Sequence, residues 1–298
     1  MSNAPAPIIT GTAQRPLLGI AFMLMATSLF PVMNGIVKLL SADYASEQII
    51  WARTASHLVF VLALFAPRYG LRLLRTVRPG VQISRSLILL ASTTCFFNGV
   101  KFIPLAEAGA ISFMAPFIVA LLAVPMLGET VSPVRLAAVF VGFLGVLVVI
   151  RPGSEVFDWA SLFIVGSAIC YATYQVLTRR VAGQDRPETS VVYSALVGTV
   201  VMTAIVPWFW TAPTSLDDGL LLASLGVLGG LGHYCVARAM TYATASVISP
   251  FQYWQMVGSV LVGYLLFSDL PDLYTWLGAA LIIGSGMFIG WRESRDRP

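Results

Sequence analysis

The 298-residue chain has only 11% charged residues against 57% hydrophobic ones, a formal net charge of +4 and a mean hydropathy of +0.82. A soluble domain carries charge at about a quarter of its positions, so this composition excludes one and describes an integral membrane protein. The three cysteines, Cys95, Cys170 and Cys235, all fall inside apolar runs, which argues against a disulfide framework or a metal cluster.

A helix needs about 20 apolar residues to cross the hydrocarbon core, and the chain offers about ten such runs, near 17–40, 46–66, 81–102, 105–126, 133–150, 159–181, 188–210, 217–240, 243–267 and 272–291. The short alternating segments of a barrel are absent, so the predicted fold is an all-α integral membrane protein of ten transmembrane helices. The polar start, MSNAPAPIITGTAQR, has no early basic region and leads into a full-length first span, so no cleavable signal peptide is expected.

Span one places Thr27, Pro31, Asn34 and Lys38 at helical spacing on one face, and span six does the same with Ser167, Tyr171, Tyr174 and Thr178. Lipid tails offer such groups no hydrogen bonds, so both stripes are expected to face a wet cavity or the bundle interior, with helix-to-helix glue as the alternative. Span two carries Arg53 and His57 one turn apart. A buried arginine costs at least about 2.5 kcal/mol on insertion scales, so Arg53 calls for an aqueous route, a carboxylate partner or snorkelling to the nearer surface. Span seven ends in Pro207 and the aromatic cluster Trp208-Phe209-Trp210, an interfacial belt.

Between spans three and four, Asn98 and Lys101 approach one membrane face and Glu107 follows the turn at Ile103-Pro104. Lys101 and Glu107 are placed either to pair across a gate or to stand as two solvated loop charges. Pro116 removes a backbone donor in mid-span and predicts a kink in helix four. Spans five and ten are glycine-rich and nearly free of polar groups, as packing helices or a dimer face would be. Span eight holds Gly226, Gly229, Gly230 and Gly232 before His233, Tyr234 and Arg238, and span nine follows with SPFQYWQM. Ser249, Gln252, Gln255 and Ser259 share one face of span nine beside the rings of Tyr253 and Trp254, the mixture that lines a small-molecule pocket. His233 reads either as a satisfied core histidine or as a ligand-binding or proton-carrying one.

A shift of 140 residues lays Cys95–Glu129 on Cys235–Asp269 and each polar stripe on the other, although only Cys95/Cys235 and Leu121/Leu261 are identical in that window. The match lies in apolar class, small residues and punctuation, as in a decayed inverted repeat whose halves enclose a site near the bilayer midplane. The halves are read as residues 1–152 and 153–298. With the N-terminus inside, 14 of the 18 basic residues gather at internal ends, including Arg68, Arg72, Arg75, Arg78 and Arg85, while Lys38, Arg53, Lys101 and Arg151 remain at outer ends. By the positive-inside rule both termini face the cytoplasm, and the basic run after Tyr69 is a topology signal rather than a nucleic-acid patch.

Two five-helix halves, each with an acid between its fourth and fifth helices (LGETVSP, then FSDLPD) and a glycine-rich fifth helix, resemble the EamA-type branch of the drug/metabolite transporter superfamily. Pro116 with Gly128-Glu129, Arg53, and the small-residue helix starts after Phe102 and Tyr242 carry the likeness. Met256 stands where that family usually has proline, and Asp269 where it usually has glutamate. The resemblance implies secondary transport of a small metabolite by alternating access in the bacterial inner membrane, without a cofactor, by a monomer or homodimer. The aromatic middle looks most like the aromatic amino-acid exporter, YddG-type branch, which implies export of amino acids. The lining expected for such a cargo is Asn34, Asn98, Tyr171, Tyr174, His233, Tyr234, Gln252, Tyr253, Trp254 and Gln255, with Lys38, Arg53, His57, Lys101 and Glu107 for gating or coupling.

Other classes fit less well. An intramembrane enzyme needs a nucleophile, a metal cluster or paired carboxylates at depth, and the adjacent acids Asp217-Asp218 lie in a short loop. No GxxxxGK[ST] loop for a primary pump occurs. Inverted pairs of polar stripes have no obvious use in a static receptor or scaffold.

Overall fold

The computed structural model describes residues 15–127, 132–153, 158–181, 184–243 and 251–295. In chain order the helices are α1 (Pro16–Leu40), α2 (Ser46–Tyr69), α3 (Pro79–Val100), α4 (Leu105–Ser112), α5 (Ala115–Leu127), α6 (Pro133–Ile150), α7 (Ala160–Val181), α8 (Pro187–Ile205), α9 (Leu216–Tyr242), α10 (Trp254–Phe267) and α11 (Leu273–Arg295). Helices α4 and α5 are two halves of one span, so seven long apolar spans and three shorter ones make ten among the described residues. Large apolar side chains such as Val59, Phe140, Phe163, Val200 and Leu265 point outward, where lipid is their solvent. Gly128, Glu129 and Ser249 lie outside the described residues.

The packing has an internal symmetry. Helix α3 lies against α7 as α9 lies against α1, and α1 meets α10 as α7 meets α4 and α5. Replacing every span by the one five places later turns each of these contacts into its partner, and it maps α2–α8 and α6–α11 onto themselves. Five crossings is an odd number, so the second half enters the membrane with the opposite orientation and the repeat is inverted. The close approaches repeat as well. A side chain on Gly99 would meet the Ala160 carbonyl, and one on Gly19 would meet the Ala239 carbonyl. Spans five and ten pack on each other: Gly145 and Gly278 present bare Cα atoms to one another's carbonyls, which brings α6 and α11 to backbone contact.

The span formed by α4 and α5 breaks at Phe113–Met114, directly ahead of Pro116, which sits in the first turn of α5 and cannot donate to the preceding turn. The second half breaks at the same place. Residues 251–252 are helical, Tyr253 is a turn residue and α10 starts at Trp254. Because Met256 occupies the position equivalent to Pro116, proline is not the sole cause of the break. The two breaks touch, with the rings of Phe113 and Tyr253 5.2 Å apart, so the pseudo-two-fold axis passes between them.

One end of the bundle, where α1 begins, collects the arginines and is called the basic end below. There Arg85, 1% exposed although charged, donates to the Gln82 side chain (2.7 Å), the Ser190 carbonyl (3.0 Å), the Tyr174 hydroxyl (2.9 Å) and, through Nε, the Thr178 hydroxyl (3.1 Å). Gln82 in turn donates to Asp185 at 2.8 Å. Burial alone would raise the Asp185 carboxyl, but hydrogen bonds from the Thr76 hydroxyl, the Val77 N–H and Gln82, together with nearby Arg85, hold it below its ordinary range. At the opposite end Lys38 binds Asp269 (3.1 Å) and the Ile103 carbonyl (3.0 Å), and Arg151 binds Asp272 (2.7 Å).

Candidate functional site

Between these two ends lies a cavity of about 200 Å³ lined from both halves: Asn34 from α1, Arg53 from α2, Phe96 and Phe97 from α3, Ser112 and Ala115 on either side of the α4/α5 break, Tyr171 from α7, His233 from α9 and Gln255 from α10. The helix break thus borders the cavity, the setting in which irregular backbone is tolerated at membrane depth. Arg53, Tyr171 and His233 also line an adjoining cavity of about 280 Å³ that runs toward the basic end and adds His57, Tyr174 and Thr178. A third cavity, of about 440 Å³, opens between α2, α8 and α9 near Arg68, Tyr69, Glu188, Tyr234 and Arg238 and meets the others at His233.

The walls are apolar rings with few polar groups, and no Asp or Glu lines the first two cavities among the described residues. Arg53 is therefore the cation of the central chamber. Its Nη1 lies 3.4 Å from the Thr93 hydroxyl, its face sits 5.8 Å from the Phe97 ring, and its buried Nε has no partner. Glycine makes room for it, since a side chain on Gly229 would stand against the Arg53 guanidinium, and one on Gly226 or Gly230 would meet His57. His57 is 8% exposed, its Nε2 has no partner, and its ring stacks on His233 with centroids 6.4 Å apart. Tyr171 and Tyr174 stack at 5.8 Å on the facing helix.

Of the residues read from the sequence, Asn34, Arg53, Tyr171, His233 and Gln255 meet in the central cavity, with His57 and Tyr174 beside it and Tyr234 in the third cavity. Others point elsewhere. The Asn98 amide donates to the Thr94 carbonyl of its own helix, and Tyr253 packs against Phe113 at the symmetry axis. Half-buried Gln252 stands before the turn at Tyr253, off the walls of all three cavities. Trp254 is 46% exposed on the outer surface of the bundle, where its indole donates to Ser28. The turn at Tyr253 is the reason, because it breaks the continuous helical face assumed for span nine and leaves Gln255 as the residue that reaches the cavity. Lys101 and Glu107 do not pair with each other: Glu107 accepts from Ser161, Lys101 lies by the Phe102 ring, and the ion pairs at that end join Lys38 to Asp269 and Arg151 to Asp272. Thr27 bonds back to its own helix, so its stripe reaches the cavity through Asn34. The Arg85 network was missed. Gln82, Arg85 and Ser86 at i, i+3 and i+4 in an otherwise apolar run were its sequence signal, hidden among basic residues counted for topology.

The model of the EamA-like transporter family matches residues 17–151 and again 158–291, which together span nearly the whole chain. The chain belongs to that family. Among relatives of the EamA-like chain, the S-adenosylmethionine uptake transporter of Rickettsia conorii is 31% identical, over 79% of this chain and 80% of its own. A riboflavin transporter of Rhizobium johnstonii is 30% identical over 94% and 93%. The pseudopaline exporter CntI of Pseudomonas aeruginosa is 28% identical over 89% and 93%. A crystal structure that superposes with a TM-score of 0.65, covering 95% of this chain and 98% of that one at 19% identity, shares the fold. The EamA-like chain is thus a transporter of small metabolites in a membrane and not an enzyme.

Proposed function

We propose that this EamA-like transporter exports, by alternating access, a small zwitterionic metabolite: an amino acid with an aromatic side chain, or a molecule with an amino-acid end beside a flat ring. The observation that carries the reading is Arg53, a cation at the cavity wall with no carboxylate facing it among the described residues. A buried guanidinium of this kind is best satisfied by a carboxylate brought in by the cargo. Around it the rings of Phe30, Phe96, Phe97 and Tyr171 suit a flat apolar group, while Asn34 and Gln255 supply neutral polar contacts. S-adenosylmethionine, the cargo named for one relative, combines an amino-acid end with a purine, and riboflavin is a flat ring system. The outward direction rests on the likeness to the pseudopaline exporter CntI, whereas the S-adenosylmethionine relative is an uptake transporter, and the basic end is assigned to the cytoplasm of a bacterial inner membrane.

The test is exchange in proteoliposomes loaded with unlabelled cargo. Labelled tryptophan, phenylalanine, threonine, S-adenosylmethionine and riboflavin are offered outside in parallel. Exchange of tryptophan, phenylalanine or S-adenosylmethionine, with threonine weaker, is the expected result. Exchange of riboflavin alone, which has no carboxylate, would overturn the zwitterion reading.

A further inference from the structure

The chain has two histidines, His57 and His233, far apart in sequence and on different halves, and the fold stacks them on each other, His233 at the junction of all three cavities and His57 on the wall of the second. We infer that His57 and His233 form a proton-binding pair whose proton is displaced by the ammonium group of the cargo, so that each cargo molecule is exchanged for a proton. The inference rests on the zwitterionic cargo proposed above.

A zwitterion that sets its carboxylate on Arg53 brings a positive ammonium with it. No carboxylate lines the central chamber among the described residues, and the acid Glu188 lies in the third cavity, toward the basic end. The ammonium therefore has only neutral acceptors to choose from. A neutral imidazole has one nitrogen with a free lone pair, an imidazolium has none, and the buried Nε2 of His57 has no hydrogen-bond partner among the described residues. Proton and ammonium thus contend for the same lone pair. When the cargo arrives, the proton leaves the imidazole for cavity water; when the cargo leaves, a proton takes its place and the site keeps one positive charge beside Arg53.

The charged and titratable neighbours are compatible with a single exchangeable proton. Arg53 lies one turn from His57 on α2, Tyr171 and Tyr174 face the pair from α7, and Tyr234 and Arg238 continue α9 toward the basic end. Arg85 of α3 stands behind Tyr174 and Thr178, donating to both hydroxyls as well as to Gln82 and the Ser190 carbonyl. From α1 the approach is by Phe30, whose ring lies 5.2 Å from His233, and from α8 by Val191 and Ser194, while Glu188 of α8 and Arg68 of α2 share the third cavity with His233. With Arg53 already present, protonating both imidazoles would gather three cations around two cavities that no Asp or Glu lines among the described residues, so the pair takes one proton.

Antiport predicts that cargo collects in the acid compartment. Proteoliposomes buffered one pH unit lower inside than outside, with valinomycin and equal potassium holding the membrane potential at zero, are given labelled tryptophan. A pH dye inside reports proton movement. One proton per cargo gives about tenfold accumulation inside at equilibrium, with alkalinisation of the lumen that depends on cargo. His57→Gln and His233→Gln should each bring the accumulation ratio to near unity. Wild-type exchange that equilibrates without accumulation, accumulation on the alkaline side, or variants that retain the tenfold ratio would each overturn the pair as the exchange site while leaving the cargo reading intact. Absence of exchange for the whole panel would overturn the cargo reading and the inference with it. The dye signal of the unmodified protein decides between antiport and simple passage even where a variant fails to fold.

Discussion

At the scale of single residues the site turns on how few partners Arg53 has. A guanidinium carries five donors in a fixed fork and keeps its charge at any working pH, yet among the described residues its one hydrogen bond is a 3.4 Å contact to Thr93. Its buried Nε has no partner among the described residues, and a cargo carboxylate at the cavity wall would answer the guanidinium. Hydrogen bonds to charged groups contribute about 1.5–3 kcal/mol, so Arg53→Gln should weaken binding of a carboxylate-bearing cargo by roughly ten- to 150-fold. The methyl ester of the same cargo should lose much less, and titration calorimetry on purified protein compares the two. Equal losses for acid and ester would place the carboxylate elsewhere. Arg53 was legible in the sequence because a charge in an apolar run stands out by class. Trp254 misled for the complementary reason: a large ring on a membrane helix suits cargo and lipid alike, and which it meets depends on the turn at Tyr253 that no residue type announces.

At the scale of elements, glycine decides how close α9 comes to α2 and therefore whether the histidines meet. A Cβ on Gly226 would run into the main-chain nitrogen of His57, which cannot move without the helix, whereas a Cβ on Gly230 would meet the Phe60 and His57 side chains, which can turn aside. Overpacking of a filled interior costs about 1–3 kcal/mol. Gly226→Ala should therefore fall at the upper end of that range and lower the melting temperature in detergent more than Gly230→Ala does. The reverse order would mean that side-chain packing rather than helix approach limits this interface. The glycines of span eight were visible as a cluster. Their individual partners were not, because a glycine's role depends on the atoms that another helix brings to it.

At the scale of the whole molecule, two ties bracket the cavity: the Arg85–Gln82–Asp185 network at the basic end and the Lys38–Asp269 pair, anchored also on Ile103, at the other. Alternating access requires that such ties open one at a time. The arginine-rich end should face the cytoplasm. Single cysteines at Val77, 73% exposed, and at Asp217, exposed at the start of α9, report this when a membrane-impermeant thiol reagent is added to intact cells. The Asp217 position should be modified at once and Val77 only after permeabilisation. Modification of Val77 in intact cells would reverse the orientation. The repeat could be read from the 140-residue offset, but the contact of Phe113 with Tyr253 on its symmetry axis could not.

The amino-acid sequence alone determined the number of spans, their helical nature, the division into two related halves and, apart from the start of span nine, which lies outside the described residues, their boundaries to within a few residues. Each of these follows from local apolar length, charge placement and punctuation, all of which are properties of adjacent residues. It also singled out Asn34, Arg53, Tyr171, His233 and Gln255, polar or aromatic residues that lipid alone would not satisfy. Only the tertiary structure decided which of the candidates share a chamber. Whether Lys38 meets Asp269 instead of Lys101 meeting Glu107, whether Arg85 is buried, and whether His57 stacks on His233 all depend on how α2, α3, α7, α9 and α10 are rotated and how closely they approach. Rotation and approach are set by small residues and helix breaks acting between segments many tens of residues apart, and no local pattern encodes that distance.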